Sequence, residues 1–231
     1  MPAPVDKNVP KDLVIVGDSL FAEIAYEYFS LDSQYEVVAF TVEKEYLRRN
    51  TFHGLPVLPF ETIERELTPS RHSVFAAITY SQMNRTRTRL LDAAIQLGFS
   101  PASYVSSAAF VWPNVQLGEH CFIFEDNTLQ PFVTVGRNCV LWSGNHVGHH
   151  STFGDNIFVA SHAVISGSVQ IRDNCFIGVN ATLVNDIEIG RDTWIGPAVT
   201  ITRSVAENTI WRPARSEQRD VGAREFFKVT E

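Results

Sequence analysis

Two rules of hydrophobic spacing divide the chain. Over residues 12–100, short apolar runs alternate with amphipathic stretches. Leu13-Val-Ile-Val16 reads as a buried strand, the turn Gly17-Asp18-Ser19 follows, and Phe21 to Phe29 carries a helical pattern. Tyr35 to Thr41 is a second strand, and Val57-Leu58 is a short apolar stretch before a helix near Glu61–Leu67. Ser73 to Ile78 is a third strand. Asn84 to Leu97, with Leu90, Leu91, Ala94, Ile95 and Leu97 apolar, reads as a helix stopped by Gly98. Strands alternating with helices predict a parallel sheet with right-handed crossovers, here a small Rossmann-like α/β unit.

From Val105 the period becomes six. Every sixth residue from Val105 through Val111, Leu117, Ile123 and onward to Ile201 is large and apolar, with no insertion or deletion. With apolar residues at 45% of the chain, chance gives such a run on the order of once in a million, so the repeat is real. Four residues after many of these positions stands a second small or aliphatic residue, among them Cys121, Cys139, Ile157, Ala163, Val169, Cys175, Ala181 and Val199. Two inward positions in six describe short strands stacked into a parallel β-helix, in which each unit buries its face against its neighbours. The repeat ends after Ile201.

Composition narrows the function classes. A net charge of −7 over 231 residues argues against nucleic acid or an anionic membrane surface as the main partner. Neither a membrane span nor, over residues 1–8, a signal-peptide stretch is present, so a cytoplasmic protein is expected. The cysteines number three; Cys121, Cys139 and Cys175 share one inward column, which reads as a ladder of small core side chains in a reducing compartment.

In a triangular β-helix three hexads make one coil, so residues 18 apart stack at about 4.8 Å. Histidines concentrate at His146, His149, His150 and His162. His149 and His150 fall at a corner and are expected to point outward, with Gly167 one coil above His149 and Ser168 and Asp186 above His150. His162 falls at a different corner. Gly178 and Gly196 are also 18 apart, and stacked glycines leave a groove that a ligand can approach closely.

The hexad pattern resembles the left-handed β-helix of the hexapeptide acyltransferases. Joined to a small N-terminal Rossmann-like domain, it resembles the nucleotide-amino-sugar N-acetyltransferases, the PglD-, NeuD- and perosamine-acetyltransferase-like group, over roughly residues 12–215. The resemblance implies a nucleotide-sugar-binding domain over residues 1–102, an acyltransferase β-helix over 103–215 and a tail over 216–231. It also implies acetyl-CoA as co-substrate without a metal, a nucleotide-sugar acceptor used in surface-glycan synthesis, and a homotrimer without nucleic-acid or membrane partners.

The segment Val147-Gly-His149-His150-Ser-Thr-Phe-Gly154 resembles the family's catalytic stretch, with His149 at the general-base position. Histidine suits that role through its reference pKa of about 6.5. His150 stands where relatives carry an acidic partner. Asp155, Asp186 or another subunit remain open as the source of the orienting group. The resemblance places acyl-CoA contacts at Gly178-Val179 and Gly196-Pro197, with Gly167 along the same path. It places basic residues of Trp211-Arg-Pro-Ala-Arg215 near the CoA phosphates, Arg212 and Arg215 being candidates. For the acceptor it implies Gly17, Asp18 and Ser19 at the first helix N-terminus, Thr41 after the second strand, and Thr79 and Tyr80 after the third. Here the chain departs from the pattern: Leu20-Phe21 replaces the relatives' Gly-His, and Thr41-Val42 followed by Glu43 replaces an Asp pair. Other readings are O-acetylation of a sugar hydroxyl by the same base, a zinc hydratase like the γ-class carbonic anhydrases, which share this helix, and a non-catalytic β-helix.

Overall fold

The computed structural model describes residues 11–230. The segment read for a signal peptide, and the first residues of the expected N-terminal domain, lie outside the described residues. The first domain contains a sheet built from β1 (Lys11–Val16), β2 (Tyr35–Val42), β3 (Thr51–Phe52), β4 (Leu55–Pro59), β5 (His72–Ala76) and β6 (Ser100–Pro101) in the order β3-β4-β2-β1-β5-β6. All pairings are parallel except β3 with β4. That antiparallel hairpin turns at His53-Gly54 and has too few apolar residues to announce itself in the sequence. The helices are α1 (Leu20–Leu31), the single turn α2 (Ile63–Glu66) and α3 (Arg85–Gln96). α1 buries Phe21, Ala22, Ala25 and Phe29, spaced for one helical stripe.

Beyond β6 the chain winds into three parallel sheets of two-residue strands, a triangular β-helix. The first face starts at Tyr104–Val105, the second at Phe110–Val111 and the third at Gln116–Leu117. Pairing advances by 18 residues per coil, as in Phe122 to Val140 to Phe158 to Phe176 to Trp194 on the first face. Inward residues from Ile123 to Ile201 form one continuous core with the cysteine column. Burial raises the Cys139 thiol well above its ordinary range and pushes Cys175 up to about 12, which keeps both protonated and inert.

Two features depart from the hexad reading. Val105 is 39% exposed, because the first coil stacks on one side only. The helix also does not end at Ile201. Val205 bridges Ile189, and Ile210–Trp211 pairs with Trp194–Ile195, at a spacing of 16 rather than 18. The last coil is two residues short between Ile201 and Val205, and that slip hides it from a count of sixes.

From His120 to Ala198 each corner turns through one residue of positive φ, three places after the inward residue. Asn138, His150, Asn156, His162, Asn174 and Asp186 all lie between 56° and 61°. Asn and Asp dominate because their short polar side chains tolerate the left-handed region.

The outer side of the first face is aromatic apart from Val140: Tyr104, Phe122, Phe158, Phe176 and Trp194 stand in its row, and the α/β domain packs Phe21, Phe29, Phe75 and Tyr80 against it. Polar groups are sealed into this junction. Arg87, on α3, is fully buried; it donates to Asn138 Oδ1 (2.9 Å), the Asn138 carbonyl (3.0 Å) and the carbonyls of Thr79 (2.7 Å) and Ile78 (3.2 Å). The Ala76 N–H donates to His120 Nε2 (2.8 Å), so the His120 proton sits on Nδ1, 2.9 Å from Asn138 Oδ1. Burial pushes the His120 pKa down to about 3 and holds the imidazole neutral. Asn84 and Arg85 also serve the junction: Asn84 donates to the Cys175 carbonyl, and Arg85 pairs with Asp192 at 2.6 Å. Polar residues therefore join the domains along the stretch after the third strand, where the resemblance implied acceptor contacts at Thr79 and Tyr80.

Candidate active site

His149 and His150 project from the corner between the second and third faces, and both are exposed. The His149 N–H donates to Gln130 Oε1 at 2.9 Å, and the His150 N–H donates to the Pro131 carbonyl. The imidazole of His149 lies under Gly167. A Cβ on Gly167 would stand 2.7 Å from His149 Cε1 and 2.9 Å from Nε2, so only glycine at 167 lets the ring rest there. His149 Nδ1 is 3.1 Å from His150 Nδ1, and His150 stacks on Phe132 one coil below, centroids 4.6 Å apart at 24°. Among the described residues, His150 is thus the ring that meets His149 Nδ1. Asp155 sits at another corner, accepting the Arg137 N–H, and Asp186 accepts from Asn185.

The glycines assigned to acyl-CoA are not brought to this corner. Gly178, Val179, Gly196 and Pro197 lie between the first and second faces, together with His162, whereas Gly167 stays with His149. One chain therefore does not form the single path expected. A Cβ on Gly178 would lie 2.6 Å from the Gly196 carbonyl carbon, so close approach of the coils requires glycine at 178 whatever binds outside. Val179 and Pro197 are exposed beside it. Arg212 lines a cavity of about 390 Å³ with Trp194, Asp192 and Met83, and Arg215 is exposed beyond the last strand. Among the described residues, no group of three or more His, Cys, Asp or Glu side chains is arranged to hold a metal ion. No helix among them is long and apolar enough to cross a membrane.

A second site lies at the C-terminal ends of β1 and β2, where open α/β sheets place ligands. Its cavity of about 360 Å³ is lined by Gly17, Asp18 and Ser19 at the start of α1, by Glu43 and Tyr46 after β2, and by Arg89 of α3. Gly17 adopts φ +117°, and a Cβ there would press on the Ala77 carbonyl at 3.2 Å. Arg89 clasps Glu43 with both terminal nitrogens (2.7 and 2.9 Å), and these hydrogen bonds hold the Glu43 carboxyl below its ordinary range. Arg49 pairs with Asp18 at 3.3 Å.

The remaining acceptor residues are elsewhere. Thr41 is fully buried, donating to the Leu58 carbonyl, because β2 lies inside a parallel sheet covered on both faces and Ala39 to Val42 are all buried. Thr79 offers its carbonyl to Arg87, and the Tyr80 ring packs on Phe176 at 4.5 Å and Phe158 at 5.2 Å. Glu43 and Arg89 take the places at the cavity wall. Glu43 was visible as the first charge after the second strand; Arg89 was one polar residue among several on a helix, and nothing local marked it.

No family model matches the chain, and no curated protein matches it. Solved structures do share its fold. PerB from Caulobacter crescentus, in complex with CoA and GDP-perosamine, superposes with a TM-score of 0.76 at 24% identity over 86% of this chain and 92% of that one. The acetyltransferase domain of PglB from Neisseria gonorrhoeae gives 0.77 at 18% identity over 87% and 95%, and its structure with acetyl coenzyme A gives 0.77 at 17%. WeeI from Acinetobacter baumannii gives 0.61 at 20% identity over 86% and 94%.

Proposed function

We propose that the protein is an acetyl-CoA-dependent N-acyltransferase acting on a nucleotide-linked amino sugar, in surface-glycan synthesis. The observation that carries this reading is His149: an exposed imidazole lodged under a glycine, with one ring nitrogen engaged by its neighbour. PerB, of the same fold, was solved with CoA and GDP-perosamine, which supports both substrate classes. The acceptor's amine nitrogen attacks the thioester carbonyl, forming the C–N bond as the C–S bond breaks. His149 Nε2 takes the proton from that nitrogen and returns it to the departing CoA sulfur. An amine presented neutral needs less help from a base than a hydroxyl does, and His149 has no carboxylate beside it. That favours N- over O-acylation.

Gly17, Asp18 and Ser19 hold the nucleotide phosphates at the N-terminus of α1, with Arg89 as the cation of that cavity. The working form is a homotrimer. Its support is twofold: the acyl-CoA residues and His149 occupy different corners, so a second copy is needed to unite them, and Phe110 and Val164 on the second face are 54% and 43% exposed. A zinc hydratase would instead need ligands gathered from several chains.

Titration calorimetry with a panel of amino-sugar nucleotides, followed by an acetyl-CoA turnover assay on those that bind, tests the reading. Binding and CoA release with at least one amino sugar are expected. Absence of any sugar-nucleotide binding overturns the acceptor class, and stoichiometric zinc in protein purified without added metal overturns the transferase.

A further inference from the structure

We propose that His150 is the positioning residue of His149: its Nδ1 accepts a hydrogen bond that fixes His149 in the one tautomer able to act as base. This rests on the transferase reading above and replaces the carboxylate expected at that place with a neutral imidazole.

The argument starts from the 3.1 Å contact between the two Nδ1 atoms. A neutral imidazole has one donor and one acceptor nitrogen, so one of these atoms carries the proton and the other receives it. If His150 donated, the proton of His149 would sit on Nε2, and the nitrogen under Gly167 would have no lone pair to offer. His149 can accept a proton at Nε2 only when its own Nδ1 is the donor. His150 then receives at Nδ1 and keeps its proton on Nε2.

The surroundings hold His150 in that pose. Its backbone is turned by φ +59°, its N–H is tied to the Pro131 carbonyl, and its ring lies flat on Phe132, itself at φ +66° in the same column. The two imidazoles stand nearly perpendicular, at 84°, with centroids 5.3 Å apart. That lets the lone pair in the plane of one ring meet the N–H of the other edge-on. Ser168 and Asp186 continue the His150 column above, Asp186 being engaged by Asn185, and His146 lies three residues back on the second face. Among the described residues, the partner that His149 Nδ1 meets is His150 Nδ1.

Two substitutions separate the hydrogen bond from the stack. His150→Asn puts an amide oxygen near the former Nδ1 and suits a positive φ. His150→Phe keeps an aromatic ring, as Phe132 already does in this column, but removes the acceptor. In the full-length protein, His150→Phe is expected to lower kcat about 10- to 100-fold, as loss of a histidine's orienting partner does elsewhere, with KM for acetyl-CoA little changed. His150→Asn should stay within a few-fold of the natural chain. Nitrogen-15 spectra of the imidazoles add a readout independent of turnover: His149 should be protonated at Nδ1 in the natural chain and in His150→Asn, and shift toward the Nε2 form in His150→Phe. Full kcat and an unchanged tautomer in His150→Phe, alongside an inactive His149→Ala, overturn the positioning role while sparing the base. Full activity in His149→Ala overturns the base itself.

Discussion

His120 and His150 occupy the same backbone position of the repeat, five hexads apart, at φ 57° and 59°. Their chemistry is opposite. His120 faces the corner that the α/β domain covers; it is fully buried, both ring nitrogens are engaged, and it is pushed to a pKa of about 3. His150 faces an open corner, where its ring leans on Phe132 and its Nδ1 meets His149. The hexad dictates where a side chain leaves the backbone, and what lies over that corner dictates whether the side chain is sealed into a junction or left open to solvent.

The sharpest way to break this contrast is at the open corner. His149→Ala should cut turnover by roughly 10²- to 10⁴-fold, the range of a positioned proton acceptor, while the urea midpoint stays put, since surface changes stay within about 0.5 kcal/mol. A large loss of stability would mean that His149 is structural. The covered corner should behave in the reverse manner. Arg87→Met leaves the acceptors on Asn138, Ile78 and Thr79 without their donor in a dry junction, at about 1–3 kcal/mol for buried groups so abandoned. Urea unfolding should register it, and an unchanged midpoint would show that water replaces the guanidinium freely.

Acid sharpens the comparison further. His120 titrates near 6.5 when unfolded and near 3 when folded, so between those values the unfolded chain binds the extra proton and stability falls as pH falls. From pH 7 to 5.5 this costs about 1 kcal/mol. His120→Gln should remove that component, seen as a flatter dependence of the urea midpoint on pH; an unaltered slope would mean that His120 is not held neutral. The smallest effect belongs to the third corner. His162 shares the backbone position, at φ 59°, and is exposed; His162→Ala should leave the urea midpoint within about 0.5 kcal/mol of the natural chain. A larger loss of stability there would mean that His162 is structural.

Much of this architecture could be read without coordinates because it is local. An apolar residue every six, and a strand–helix alternation before it, suffice to specify a β-helix behind a Rossmann-like sheet, since each coil buries its own face against the next and the spacing is a matter of chain geometry. The stacking of Gly167 over His149 follows from the same count. Whatever breaks the count was out of reach: the coil shortened between Ile201 and Val205 looks like an ending, because two missing residues move every later position off the register. So was whatever depends on one domain lying against the other. Thr41 looked like a ligand residue until the sheet buried it, Tyr80 until the aromatic row of the first face received its ring, and Arg87 was one cation among several on α3. A residue's spacing along the chain carries its direction from the backbone, but burial, protonation and partners are set by residues dozens of positions away, and only the folded arrangement brings those into contact.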